Sequence, residues 1–173
     1  MALRPAKCYR KLERPYTRQS RRKPRKGYVK GVPDTKIHKF EMGDAKKNFS
    51  LRAVLVSEQG VQVRHNALEA ARVSANKYLD KTVGKESYFL KILIYPHHVM
   101  RENTLATGAG ADRFQTGMRK AFGKPIGLAA RVMPGHRMME IRLDSSKQKF
   151  AKEALKRASA KFPTTCRIIY EKI

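Results

Sequence analysis

The central part of the chain reads NALEAARVSANKYLDKTVGKESYFLKILIY at residues 66–95. Its first half places apolar residues at helical spacing: Leu68, Ala71, Ala75, Tyr78 and Leu79. Asn66 followed by Glu69 resembles a capping box, and Gly84 stands where such a helix should stop. Residues 88–95 are almost continuously apolar, which indicates a strand in the interior of a sheet. This part of the chain therefore predicts a helix followed by a central strand.

Two further pairs of segments have the alternation and composition of strands. Residues 51–56 and 61–64 predict a hairpin about a short polar turn that contains glycine. Residues 128–133 and 137–143 predict a second hairpin of the same kind, whose second strand places Met139, Ile141 and Leu143 on one face. Each hairpin would add two antiparallel strands to the fold.

The last part of the chain predicts a second helix and a final strand. Ser145 and Gln148 are candidate caps, and Pro163 should end the helix. Its apolar stripe consists of Ala151, Ala154, Leu155, Ala158 and Phe162. Residues 165–170 predict the closing strand.

This order of elements predicts an α+β fold, with two helices on one side of a mostly antiparallel sheet. We expect an irregular basic N-terminal extension at residues 1–34 and a single α+β domain at residues 35–173. A long loop interrupts that domain at about residues 97–127.

Charge is the strongest compositional feature of the chain. Its 173 residues include 39 Lys or Arg and 14 Asp or Glu, a formal net charge of +25. Small domains usually carry a net charge of magnitude about 2–8, so a polyanionic partner is expected. Residues 1–30 contain 12 Lys or Arg and one acidic residue, which gives this segment alone a net charge of +11.

Several classes of protein are excluded by composition. No apolar run is long enough to span a membrane, and the first residues lack the apolar core of a secretory signal. Cys8 and Cys166 form neither a disulfide framework nor a zinc site, which is typical of a reducing compartment.

The N-terminal segment has the composition of a nucleic-acid-binding arm. Prolines and glycines oppose a regular helix, so we expect an extended arm that is not packed on the domain. Tyr9, Tyr16 and Tyr28 interleave with cations, which suits phosphate pairing together with stacking on bases. The candidate RNA-binding cations of this arm are Arg4, Lys7, Arg10, Lys11, Arg14, Arg18, Arg21, Arg22, Lys23, Arg25 and Lys26.

The loop at residues 97–127 is too long for an ordinary connection between strands. Its glycines make the first half mobile and allow close approach to another molecule. It does not form a P-loop, because Gly123-Lys124 is followed by Pro125 and not by Ser or Thr. Gly108 and Gly110 begin a G-x-G-x-x-G pattern, but the sixth position is Arg113, so a nucleotide-binding loop is disfavoured.

No catalytic, cofactor or metal site is predicted from the remaining polar residues. Adjacent His97 and His98 on an extended chain point to opposite sides, so hydrogen bonding at a strand end is the favoured interpretation. The sequence places no histidine as a base for Cys8, so a catalytic thiol is not predicted there. Cys166 is a candidate core residue. The basic residues of the last helix are either a solvated face or an RNA-facing stripe: Lys147, Lys149, Lys152, Lys156, Arg157 and Lys161.

Four motifs together resemble one protein family. They are GVPD at residues 31–34, ALEAAR at 67–72, AGADR at 109–113 and GMRKAFGKP at 117–125. The resemblance is to the universal large-subunit ribosomal protein called L-sixteen in bacteria and L-ten-e in archaea and eukaryotes. It covers nearly the whole chain, and the loop motif is long and specific.

The resemblance implies an α/β-hammerhead fold and a structural RNA-binding protein that is not an enzyme. It further implies binding to large-subunit rRNA near the central protuberance, organisation of the tRNA sites, and a loop that approaches the peptidyl-transferase region. The implied partners are rRNA, the tRNA acceptor arm or elbow, and neighbouring ribosomal proteins. No membrane association and no obligate homo-oligomer are expected, and the location is the cytoplasmic ribosome. On the matching positions, the expected loop contacts to RNA are Arg101, Arg113, Arg119, Lys120 and Lys124.

The chain departs from the family pattern in two places. Residues 18–30 are richer in cations than the family leads us to expect, so individual arm contacts cannot be carried over. The chain also stops at Ile173 without the tail of eukaryotic members, which favours an archaeal-type protein. The alternatives from other classes are a DNA-compacting chromatin protein and a nucleotide-dependent enzyme.

Overall fold

The computed structural model describes residues 3–12, 29–119 and 121–173 of the chain. Within these ranges it contains eight strands: β1 (Glu41–Gly43), β2 (Leu51–Ser57), β3 (Val61–Arg64), β4 (Phe89–Ile92), β5 (His98–Glu102), β6 (Lys124–Val132), β7 (Arg137–Leu143) and β8 (Cys166–Lys172). It also contains three α-helices: α1 (His65–Thr82), α2 (Ala111–Phe114) and α3 (Gln148–Ser159). The fold class is α+β, as the sequence predicts, although the short helix α2 was not expected.

The described strands form two antiparallel sheets and not one. The larger sheet has the order β1-β4-β7-β2-β8, and the smaller sheet has the order β3-β6-β5. The central position expected for the strand within residues 88–95 is confirmed, because β4 lies between β1 and β7. The α1 stripe and the α3 stripe are buried together with both sheets in one hydrophobic core.

Both predicted hairpins are wrong. β2 pairs with β7 and β8, with Leu55 opposite Met139, whereas β3 pairs with β6, with Val63 opposite Ala130. The two glycine-containing turns lie side by side, since Gly135 N–H donates to the Ser57 carbonyl at 2.8 Å. Each turn is therefore a corner at which the chain passes from one sheet to the other, and the segments β2–β3 and β6–β7 run antiparallel along their whole length.

The predicted helix caps are also wrong, whereas the predicted stop of α1 is confirmed. β3 runs directly into α1, so Arg64 occupies the N-cap and Asn66 falls within the first turn. Ser145 lies in a 3-10 turn before α3, and its N–H donates to the Ser50 side chain at 3.0 Å. Gly84 has φ +87° and its N–H donates to the Leu79 carbonyl, which ends α1. α3 ends at Ser159, before Pro163, because its last turn already tightens there.

Candidate nucleic-acid interface

The described part of the N-terminal segment, residues 3–12, lies along β3 at the edge of the smaller sheet. Gln62 N–H donates to the Arg10 carbonyl at 2.9 Å, and the Gln62 side-chain amide donates to the Lys11 carbonyl at 2.5 Å. Arg64 Nη1 donates to the Arg4 carbonyl at 2.8 Å. The prediction of an unpacked arm is therefore wrong for these residues, because the outer strand of a sheet offers backbone groups that need partners.

Glu102 joins this segment to the base of the long loop. It forms an ion pair with Arg4, and the Tyr9 hydroxyl donates to Glu102 Oε2 at 2.5 Å. The Tyr9 hydrogen bond, with help from Arg4, holds the pKa of the Glu102 carboxyl below its usual range. Burial and the neighbouring carboxylate raise the pKa of Tyr9 to about 12. At neutral pH, Glu102 is therefore a carboxylate that neutralises part of the arm's charge.

The predicted arm cations divide into two groups. Arg4, Lys7, Arg10 and Lys11 belong to residues 3–12 and are exposed, and Arg4 also pairs with Glu102. The remaining predicted cations lie outside the residues that the structure describes: Arg14, Arg18, Arg21, Arg22, Lys23, Arg25 and Lys26.

The predicted loop is shorter in the structure than in the sequence interpretation. β5 and β6 pair as far as Glu102 and Lys124, so the loop proper spans residues 103–123. Arg101 and Lys124 are consequently strand residues at its base, which corrects their assignment to the loop. Arg113 is exposed on α2 and Arg119 is exposed further along, whereas Lys120 is outside the described residues.

Arg101 has a structural role at the base of this loop. Its guanidinium carbon lies 4.2 Å from the centre of the Phe122 ring, and its Nη1 donates to the Gly123 carbonyl at 3.2 Å. A guanidinium over an aromatic face is attracted by the ring electrons. Arg101 therefore joins the two ends of the loop in addition to supplying positive charge.

Four large apolar side chains among the described loop residues are exposed and were missed in the sequence, one of them Leu105 at 47%. Phe114 is 90% exposed, Met118 is 66% exposed and Phe122 is 60% exposed. Their interleaving with Arg113 and Arg119 is the same pattern of aromatic and cationic residues that identifies the arm, and it could have drawn attention to them.

Gly123 should be far less tolerant of substitution than Gly117. Gly123 has φ +81°, and a Cβ added there would lie 2.6 Å from the Glu102 carbonyl carbon and 2.8 Å from its oxygen. Gly117 has φ +62° with open space around the same position. Both Ala variants incur the left-handed penalty of about 1–2 kcal/mol, but Gly123→Ala must also push apart the ends of β5 and β6. We expect a larger loss of melting temperature and faster amide exchange at Glu102 for Gly123→Ala; equal losses would contradict this prediction.

The adjacent histidines lie in different surroundings. His98 is buried on β5 with its Nδ1 atom 2.5 Å from Gln62 Oε1, which agrees with the hydrogen-bonding interpretation. The exposed His97 ring lies 4.4 Å from the Tyr95 ring. Among the described residues, no group of three or more His, Cys, Asp or Glu could hold a metal ion.

The basic residues of α3 and its flanks are largely exposed, which fits a solvated face and an RNA-facing stripe equally well. The Arg157 guanidinium already has partners within the protein, because it pairs with Glu153 at 3.0 Å and its central carbon lies 4.1 Å from the centre of the Tyr78 ring. The other cations of this surface are Lys147, Lys149, Lys152, Lys156 and Lys161.

The two cysteines should react at very different rates. Cys8 is exposed, whereas Cys166 is half-buried, and burial together with the Glu58 carboxylate raises the pKa of its thiol to about 11. The thiolate is the reactive form, and at pH 8 only about one Cys166 thiol in a thousand is ionised. We expect iodoacetamide to modify Cys8 first, with Cys166 reacting faster as the pH approaches 11 or on unfolding. Peptide mass spectrometry measures both rates, and similar rates in the native protein at pH 8 would be the contrary result.

The described residues define an α+β protein with exposed cations over much of its surface, including its N-terminal segment, its long loop and α3. A surface with this excess of positive charge favours a polyanionic partner. None of its described helices combines the length and the apolar character needed to cross a membrane.

The chain belongs to the ribosomal protein L16p/L10e family, whose sequence profile matches residues 15–169. It is 55% identical to the large ribosomal subunit protein uL16 of Staphylothermus marinus, over 99% of this chain and 95% of that protein. It is 48% identical to the protein of the same name in Archaeoglobus fulgidus, over 99% of this chain and 95% of the relative. A third relative of that name, from Hyperthermus butylicus, is 48% identical over 97% of this chain and 93% of its own length. The predicted family is confirmed, and the similarity to archaeal members fits the archaeal type expected from the sequence.

Proposed function

We propose that this protein is a structural constituent of the large ribosomal subunit that binds rRNA near the central protuberance and helps to organise the tRNA sites. The observation that carries the proposal is its similarity over 99% of the chain to an archaeal large ribosomal subunit protein uL16. The net charge of +25 supports a polyanionic partner. The role is architectural and requires neither catalysis nor a cofactor, and the place of action is the cytoplasmic ribosome.

In this proposal the arm and the loop bind RNA in different ways. The arm cations pair with phosphates, which position the protein without reading sequence. The loop, with Arg113, Arg119 and Lys120 and with Arg101 and Lys124 at its base, approaches the peptidyl-transferase region and the acceptor arm or elbow of tRNA. Neighbouring ribosomal proteins complete the set of partners, and the protein does not require a second copy of itself.

Sedimentation with the large ribosomal subunit tests this function. We expect the protein to remain in the large-subunit fraction after a high-salt wash, and purified protein to prefer large-subunit rRNA to duplex DNA in competition. Equal competition by duplex DNA would favour a chromatin protein instead. Saturable nucleotide binding that depends on Gly108 and Gly110 would favour a nucleotide-dependent enzyme.

The loop should gain protection when rRNA binds. Within residues 104–116 the turn of α2 supplies few backbone hydrogen bonds, such as Arg113 N–H to the Gly110 carbonyl at 3.1 Å. Gln115 supplies two more through its side-chain amide, to Ala106 N–H and the Thr104 carbonyl. We expect fast amide exchange there in the free protein and slow exchange in the rRNA complex, with β2 as the internal reference. Equal protection in both states would refute ordering on binding.

A further inference from the structure

A cleft separates the docked N-terminal segment from the base of the long loop. Its volume is about 390 Å³, and one wall is formed by Cys8, Tyr9 and Lys11 of the N-terminal segment. The rest of the lining consists of Arg101 and Phe122 at the base of the loop, together with other residues of β3 and β5. Sites for small ligands usually have volumes of about 300–1,000 Å³, so the cleft is the size of a single small group and not of a duplex.

The chemistry of the walls combines aromatic surface with positive charge. Tyr9 contributes a ring from one side, and Phe122, 60% exposed, contributes a ring from the other side. Lys11 and Arg101 supply the cations, and Gln62 and His98 also line the cleft. These groups suit a nucleotide of single-stranded RNA, because the flat face of its base stacks on aromatic rings while its phosphate pairs with Lys or Arg.

We propose that this cleft binds one unstacked nucleobase from a single-stranded part of an RNA, with the adjoining phosphate held by Lys11. The proposal rests on the proposed binding of rRNA and deepens it by naming the kind of RNA group that the site takes. An isolated phosphate would need no aromatic walls. A base within a duplex is stacked and paired, so it cannot enter a cleft of this size.

The N-terminal segment builds this site by docking. The backbone bonds from Gln62 to Arg10 and Lys11 place Lys11 at the rim, and the Tyr9 hydrogen bond to Glu102 fixes the ring against the base of the loop. An arm that was not packed on β3 would leave only the Arg101 and Phe122 wall. The cleft therefore links the arm and the loop in a single binding site.

A single tryptophan placed in the cleft tests the proposal. The chain contains no Trp, so Phe122→Trp provides a unique fluorophore that a stacked base would quench. The matched control is Val73→Trp on α1, at a position that is 44% exposed and outside the cleft. The probes are hexauridylate and a blunt RNA duplex long enough to stay paired, compared at equal concentrations of phosphate.

We expect hexauridylate to quench Phe122→Trp much more strongly than the duplex does, and Val73→Trp to respond equally little to both. Equal quenching of Phe122→Trp by single-stranded and duplex RNA would overturn the proposal. So would an equal response of the two tryptophan positions to hexauridylate.

Alkylation of Cys8 repeats the test on the unaltered chain, in case the Trp variant changes the cleft. At a hexauridylate concentration about ten times Kd, only the unoccupied cleft reacts, so the rate of Cys8 modification should fall about tenfold. Duplex RNA at the same occupancy should protect Cys8 much less, and protection equal to that by hexauridylate would overturn the proposal. The slowly reacting Cys166 serves as the internal reference.

These outcomes separate the inference from the function on which it rests. If large-subunit rRNA binds tightly while Cys8 and Phe122→Trp do not distinguish single-stranded from duplex RNA, the base-binding cleft is wrong and the rRNA-binding function stands. If rRNA does not bind preferentially, the proposed function itself fails.

Discussion

Neutralising the seven cations between Arg14 and Lys26 should sharply reduce the salt dependence of rRNA binding. Each phosphate contact contributes about 0.7–0.9 to the slope of log affinity against log salt, so the seven cations together account for up to about 5–6 of the slope. A protein with about 6–10 phosphate contacts loses about 10³–10⁵ in affinity between 50 and 200 mM salt. The Gln variant of all seven residues should lose far less over the same range, and bind much more weakly at low salt.

This set of substitutions spares the docked segment. Residues 3–12 form hydrogen bonds with the edge of β3 and with the Glu102 carboxylate. Truncation of the whole arm would therefore also disturb the sheet and the loop. The matched control changes the arginines at 14, 18, 21, 22 and 25 to Lys, which keeps every charge. Filter binding over a salt series should show the original slope for this control. An unchanged slope in the Gln variant would contradict phosphate binding by the arm.

Replacing Glu140 by Gln should be strongly destabilising. Glu140 on β7 is 1% exposed and accepts hydrogen bonds from Arg52 Nε at 2.8 Å and from Arg142 Nη2 at 2.9 Å. Removing one partner of a buried ion pair usually costs about 3–5 kcal/mol. Arg52 and Arg142 retain partial contact with water, so we expect about 3 kcal/mol, the lower end of that range. The corresponding fall in melting temperature is roughly 6–12 °C for a chain of this size.

Glu153→Gln is the matched control for this prediction. Glu153 pairs with Arg157 one turn along α3, and both side chains are about half exposed. Exposed pairs at this helical spacing contribute about 0.3–0.5 kcal/mol, so the melting temperature should barely change. Thermal unfolding followed by circular dichroism compares the two variants. A loss for Glu140→Gln as small as that for Glu153→Gln would show that the buried carboxylate is dispensable.

The local composition of the sequence was sufficient to select the arm and the loop as candidate segments. Interleaved tyrosines and cations marked the arm, and the glycine content marked the loop, because composition reports charge and backbone freedom directly. The cleft could not be predicted. Tyr9 and Phe122 are separated by more than a hundred residues in the chain, and the docking of residues 3–12 on β3 and Glu102 brings them together.

The two long helices, α1 and α3, and their core stripes could be predicted because helical periodicity is a local property. Leu68, Ala71, Ala75 and Leu79 are all buried, as their spacing requires. The pairing of strands is not a local property, since the same glycine-containing turn sequence is compatible with a hairpin and with a corner between two sheets. Tertiary packing determines the strand partners. β2 is buried almost throughout and lies between β7 and β8, so both of its edges are paired and β3 cannot pair with it. β3 consequently pairs with β6 in a second sheet, and its free edge holds the N-terminal segment beside the loop.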